Sequence, residues 1–110
     1  MHAAFRVGNW AGGVCFELIA DDVDSLLTSR RFDSLDEAMR GLTDLREHAN
    51  ARDRYRALQT AAGDCYFEFL DQDGRALATS RSFTSLKTLL QGEARVGIFH
   101  AAPLEPAETV

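Results

Sequence analysis

A chain of 110 residues is one compact domain rather than two, because a single core at this size covers roughly 65% of the surface the unfolded chain exposes, while half the length would be marginal. The formal net charge of -5, from 12 basic and 17 acidic side chains, repels nucleic-acid backbones and anionic lipid at long range. No window reaches the roughly 18 apolar residues of a membrane span, and Met1–Asn9 has no basic region ahead of an apolar stretch. Two cysteines are too few for a disulfide framework, so a cytoplasmic chain with free thiols and no membrane association is expected.

In chain order, Phe5–Trp10 reads as a strand, followed by the turn residues Ala11-Gly12-Gly13 and a second strand at Val14–Ala20. An acidic turn, Asp21-Asp22-Val23-Asp24, leads to a third strand at Ser25–Phe32. Ser34 then opens a helix with a capping box to Glu37. Along that helix Leu35, Ala38, Met39, Leu42, Leu45 and Ala49 form one apolar stripe that must lie on the sheet.

The order then starts again. Tyr55–Thr60 is a strand, Ala61-Ala62-Gly63-Asp64 a turn, and Cys65–Leu70 a strand. Asp71-Gln72-Asp73-Gly74 is a tight turn carrying an Asp-Gly signal, and Arg75–Phe83 is a third strand. A helix begins at Ser85. Thr88 replaces the capping glutamate and Gly92 follows early, which predicts a shorter helix ending near Ala94. Arg95–His100 alternates like a last strand, and the Pro- and Glu-bearing residues 103–110 read as a disordered tail.

This recurrence is written in the residues themselves. Phe16–Leu35 laid over Phe67–Leu86, an offset of 51, gives ten identities in twenty positions, Phe16/Phe67, Glu17/Glu68, Thr28/Thr79, Ser29/Ser80, Arg30/Arg81 and Phe32/Phe83 among them. A tandem duplication follows, with repeat one at about 4–50 and repeat two at about 54–102. Neither repeat is large enough to stand alone, so one pseudo-symmetric α+β domain over 1–102 is expected.

The repeated residues resemble the small YegP-like proteins of bacteria, a tandem domain of unknown function. The resemblance rests on Phe16-Glu17-Leu18, on Leu26-Leu27-Thr28-Ser29-Arg30-Arg31-Phe32-Asp33-Ser34 and on Gly41-Leu42-Thr43-Asp44-Leu45-Arg46-Glu47-His48-Ala49. The second copy supplies Phe67-Glu68-Phe69, Leu77-Ala78-Thr79-Ser80-Arg81-Ser82-Phe83-Thr84-Ser85 and Gly92. It implies two β3-α-β units in one antiparallel sheet, with terminal strands exchanged between repeats and both helices on one face. It brings no catalytic residues.

The residues with chemistry divide into a few sets. Thr28-Ser29-Arg30 and Thr79-Ser80-Arg81 offer hydroxyls and guanidinium groups for an anion or peptide site, but alternation sends Ser29 and Arg30 to opposite faces. A structural role follows, with the hydroxyls bonding strand-end backbone and the arginines pairing to Glu17 or Glu68. Cys15 and Cys65 differ by 50 where the repeat offset is 51, so they face opposite sides and form no disulfide. His2, His48 and His100 share no ligand spacing with the cysteines, and no metal or cofactor is expected. His48 suits the C-terminal end of its helix dipole. Nothing resembles a nucleophile elbow or a phosphate loop.

What remains is the sheet face away from the helices, carrying Cys15, Glu17, Ile19, Tyr66, Glu68 and Leu70, with Trp10 at its margin or capping the core. A sheet with helices on one side leaves the other without a covering layer. That favours a non-enzymatic module that binds a protein partner, or a second copy as a homodimer, through this face or an edge strand. The alternatives are nucleic-acid binding through Arg30, Arg31, Arg52, Arg54, Arg56 and Arg81, and an enzyme built on a thiol or on Glu17 and Glu68 sharing a proton.

Overall fold

The computed structural model describes residues 3–10, 12–20 and 24–106; the expected turn at Asp21-Asp22-Val23 and the last residues of the tail lie outside them. Strands β1 (Ala3–Trp10), β2 (Gly13–Ala20) and β3 (Asp24–Ser29) precede helix α1 (Leu35–His48). A 3-10 turn at Arg52–Arg54 leads into β4 (Tyr55–Gln59), β5 (Cys65–Leu70) and β6 (Ala76–Ser80), followed by α2 (Leu86–Ile98) and β7 (Leu104–Pro106). The seven strands form one mixed sheet in the order β4-β5-β6-β3-β2-β1-β7. β3 and β6 meet at its centre, antiparallel, with Thr28 opposite Thr79.

Alternation builds the strands. In β2, Phe16, Leu18 and Ala20 are buried while Glu17 and Ile19 are half-buried on the other side; in β5, Phe67 and Phe69 are buried and Tyr66 and Glu68 are not. α1 buries Ala38, Leu42 and Leu45, and α2 buries Leu89, Gly92 and Val96. These residues join Phe5, Phe16, Leu18, Leu27, Phe67 and Phe69 in a single core, so both helices cover the same face. Each fully buried Leu or Phe contributes about 1.5–3 kcal/mol over its exposed state.

The same contacts recur 51 residues on. Phe16 stacks on Phe32 with ring centroids 6.1 Å apart, and Phe67 on Phe83 at 6.1 Å. The Ser29 hydroxyl accepts the Phe16 N–H at 2.9 Å and donates to the Arg30 carbonyl at 2.7 Å; Ser80 does the same with Phe67 and Arg81 at the same distances. Gly41 and Gly92 lie over these rings. A Cβ on Gly41 would sit 2.9 Å from Phe32 Cζ, and one on Gly92 2.5 Å from Phe83 Cζ. Here glycine lets a helix approach an aromatic ring.

That packing corrects the reading of the second helix. Gly92 is not a stop signal, and α2 runs through Arg95–Ile98, where a strand was expected. Val96 is fully buried and Ile98 is 69% exposed, so the two do not share a face as strand alternation requires. The caps are also redistributed. Ser85 and Thr88 form the full reciprocal box. At α1, Ser34 accepts the Glu37 N–H at 3.2 Å, but the Glu37 carboxylate reaches the Asp33 N–H rather than that of Ser34.

The sheet is mixed, not wholly antiparallel. Leu104–Pro106, placed by composition in a disordered tail, form β7 and pair parallel with Phe5–Val7. Pro103 supplies a carbonyl to the Phe5 N–H at 2.8 Å. From the end of α2 the chain thus reaches the far edge of the sheet, beside β1.

Candidate functional site

The uncovered face is organised by a single row of cross-strand partners. From the β7 edge it reads Glu105, Arg6, Glu17, Thr28, Thr79, Glu68, Arg56. Glu17 and Glu68 are separated by three inter-strand steps, about 14 Å at ordinary strand spacing. They cannot share a proton, and the carboxylate-pair enzyme loses its geometric basis.

The six residues expected on this face fare differently. Glu17 accepts a hydrogen bond from the Ser25 hydroxyl at 2.8 Å, and Glu68 is held by Arg56 Nε and Nη2 at 3.0 and 2.5 Å. Tyr66 lies opposite Leu58 and is half-buried, as are Ile19 and Leu70. Cys15, opposite Gly8, is only 5% exposed and offers no surface to a partner. Trp10 ends the β1-β2 ladder opposite Gly13, half-buried. The exposed large apolar side chains are elsewhere: Leu35, Leu86, Leu90, Ile98 and Leu104.

The thiols are unpaired. Cys65 packs against the core beside Phe83, where Val14 lies beside Phe32 in the first half. Among the described residues no three His, Cys, Asp or Glu side chains converge on a point that could hold a metal ion. His48 Nδ1 lies 3.1 Å from Asp44 Oδ1 and 3.0 Å from its carbonyl, inside the last turn of α1.

The arginines proposed for nucleic acid are largely engaged by the protein. Arg30 meets Asp71 at 3.0 Å, Arg54 meets Asp44 at 2.5 Å and Arg56 meets Glu68, which leaves little free positive field. Asp71, not Glu17 or Glu68, is therefore the carboxylate partner of Arg30. Desolvation pushes the Asp71 carboxyl up, but the Arg75 N–H, the Arg30 guanidinium and the Asp73 N–H outweigh it and hold it below the usual range. This ion pair lines a recess of about 460 Å³ between α1 and the β5-β6 turn, with Glu37, Arg40, Asp44 and Asp73 around it.

A smaller groove, about 230 Å³, opens beside the first residue of β4 and is lined by Ala49, Asn50, Arg52, Tyr55, Leu90, Glu93 and Ala94. The Tyr55 hydroxyl donates to the Ala49 carbonyl at 2.6 Å. Burial, and then the charge of Glu93, push its phenol well above the ordinary value; burial also raises Glu93 against the pull of Arg52.

The β4 edge escaped sequence reasoning, because being an edge is a property of strand order. A signal was nonetheless available in the pair Phe5-Arg6 and its echo Tyr55-Arg56, offset by 50 rather than 51. The registers make these positions equivalent. Phe5 lies opposite Leu18, and Tyr55 opposite Phe69, which is 51 residues on from Leu18.

Solved proteins share this overall fold. The structure of YegP from E. coli, described as a protein of unknown function, superposes with a TM-score of 0.87 over 96% of this chain and 93% of that one, at 19% identity. The chain has the YegP-like fold. A UPF0339 protein from Shewanella oneidensis matches with a TM-score of 0.86 at 18% identity, covering 96% of this chain and 92% of its own. No protein-family model matches the chain, and no curated protein sequence does. The YegP-like neighbours indicate no enzyme family, and no described helix is long and apolar enough to cross a membrane.

Proposed function

We propose that the chain is an internally duplicated, non-enzymatic YegP-like module that binds another protein, or a second copy of itself, through its sheet. The duplication is supported by the ten repeated residues together with the stacked rings and bonded serines that recur at an offset of 51. One observation carries the binding reading. The sheet has helices on one face only, and its β4 edge has no neighbouring strand among the described residues, so backbone and side chains both remain available. Tyr66, Glu68, Leu70, Glu17 and Ile19 are the side chains that the face offers, while Cys15 is buried and offers none. Two free thiols suit a reducing compartment such as the cytoplasm.

The test is affinity capture from a cell extract, with wild type compared against a Tyr66→Asp/Glu68→Lys variant and an Ala57→Pro variant and read by quantitative mass spectrometry. Light scattering of the three proteins measures self-association alongside. The expected result is a protein, or a dimer, held by wild type and lost from one folded variant. Equal, empty recovery from three monomeric proteins ends the reading.

A further inference from the structure

Outward from the central pair of threonines, the row on the uncovered face reads Thr28, Glu17, Arg6, Glu105 on one side and Thr79, Glu68, Arg56 on the other. The second side stops one residue short. Glu105 reaches its place because the chain continues past α2 into β7, whereas past α1 it passes through Arg52–Arg54 directly into β4 and has no segment left to lay alongside. We infer that the β4 edge receives an extended acidic segment of another protein, running parallel to β4, whose carboxylate takes the vacant position beside Arg56.

Three features of the edge fit that occupant. The first is the backbone. The Thr60 N–H bonds the Asp64 carbonyl at 2.7 Å, and alternation from that pair turns Leu58 and Arg56 toward β5 and Tyr55, Ala57 and Gln59 outward. The Tyr55 N–H is satisfied by the Arg52 carbonyl, so the donors left on the edge are those of Ala57 and Gln59. On the other side of the sheet, the outward groups of Phe5 and Val7, counterparts of Tyr55 and Ala57, are the ones β7 covers. An edge of unpaired groups is a template for strand addition.

The second feature is charge. Arg56 is about half exposed, and both of its bonds go through Nε and Nη2 to one Glu68 oxygen, leaving Nη1 without a partner among the described residues. A guanidinium has donors for two carboxylates. The third is shape. Leu104 lies beside Phe5 on the helix side of the sheet, and its counterpart on the partner would lie beside Tyr55, at the groove shared with Ala49, Leu90 and Ala94. Leu90 is half exposed there. The expected ligand pattern is thus apolar-acidic-any, the pattern of Leu104-Glu105-Pro106 itself.

This inference rests on the edge-strand form of the binding reading, and the probe can be taken from the chain. A blocked peptide Ala-Pro-Leu-Glu-Pro and its Ala-Pro-Leu-Lys-Pro counterpart are titrated to millimolar concentration into the 15N-labelled full chain, with amide shifts and hydrogen exchange followed residue by residue. The acidic peptide is expected to shift the Ala57 amide, whose N–H meets the peptide's Glu carbonyl in the register of β7, and slow its exchange. The lysine peptide should bind at least about tenfold more weakly, and Arg56→Glu should invert the order of the two peptides. Arg56→Gln, which avoids crowding Glu68 with a second carboxylate, should abolish the discrimination. Silence at Ala57, equal responses to both peptides, or shifts confined to Phe5–Val7 through displacement of β7 each overturn the inference. The two failures are distinguishable: a silent titration ends the edge receiver whatever the capture yields, and an empty capture ends the broader reading whatever the titration yields.

Discussion

In the half of the molecule that runs from β1 through α1, the ring of Phe16 lies on Phe32 at 15°; in the half from β4 through α2, Phe67 lies on Phe83 at the same angle. The hydroxyl-to-backbone bonds beneath them agree to within a tenth of an ångström, and the Arg30 N–H bonds the Leu77 carbonyl as the Arg81 N–H bonds that of Leu26. Away from this shared interior the halves part company. The first hairpin closes through Trp10 and Gly13, while the second has one residue more between Thr60 and Asp64. One outer strand is covered by β7, and the other has no neighbouring strand among the described residues. Contacts that the two halves make jointly constrain both halves, whereas a loop or an edge answers only to solvent or to whatever binds it.

If the interiors are equivalent, mutations at matched positions should cost the same. Phe16→Ala and Phe67→Ala each remove a fully buried ring, and each is expected to lower unfolding free energy by about 3–5 kcal/mol in urea titrations. A gap between them larger than about 1 kcal/mol, well above the error of such paired measurements, would break the equivalence. Ser29→Ala and Ser80→Ala leave the Phe16 and Phe67 N–H groups buried without an acceptor. The expected cost is about 1–3 kcal/mol each, again matched.

The helix glycines sharpen the comparison, because there the two halves are close but not identical. Alanine is the better helix former by about 1 kcal/mol, but its methyl must displace a ring already in contact, which typically costs about 1–3 kcal/mol. The overlap is worse at Gly92 than at Gly41. Gly92→Ala should therefore be net destabilising and Gly41→Ala closer to neutral, in the same denaturant assay; a reversed order would mean that Phe83 can move aside where Phe32 cannot.

The parts of this fold legible in the sequence were those specified locally or stated twice. Period-two alternation in β2 and β5, the Asp71–Gly74 turn and the apolar stripe of α1 from Ala38 to Ala49 need no knowledge of the rest of the molecule, whereas Leu35, expected on the same stripe, is exposed because the first turn of α1 projects beyond the core. The matched residues at an offset of 51 placed Thr28 and Thr79 at corresponding positions before any strand order was known. β7 was illegible because three residues ending in proline have no strand signal of their own; they are ordered by pairing with β1, about a hundred residues away in sequence. The end of α2 was misread because Val96 and Ile98 imitate a strand while Leu89, Gly92 and Val96 keep the helical spacing. The candidate face was legible in outline from alternation, but burial of Cys15 and the place of β4 at the end of the strand order depend on neighbours that only the sheet supplies.

The smallest expected effect concerns the contact that ties one half to the other. Arg30 from the end of β3 reaches Asp71 in the β5-β6 turn at 3.0 Å, with the guanidinium 44% exposed. Solvent screening at such a pair limits its worth to about 0–1 kcal/mol. Asp71 also accepts the Asp73 and Arg75 N–H groups through Oδ1, and asparagine can keep that acceptor, so Asp71→Asn isolates the charge from the turn. Because the folded carboxyl is held below its unfolded value of about 3.9, its contribution is fully present above that pH and is lost as the pH falls through the lower folded value. Thermal melts should therefore separate wild type from Asp71→Asn by a small margin at neutral pH, and the two curves should converge as the pH falls through the lowered folded value. A margin that persists into acid would mean that the substitution damages the turn itself, and that Arg30 joins the two halves through its backbone bond to Leu77 rather than through its charge.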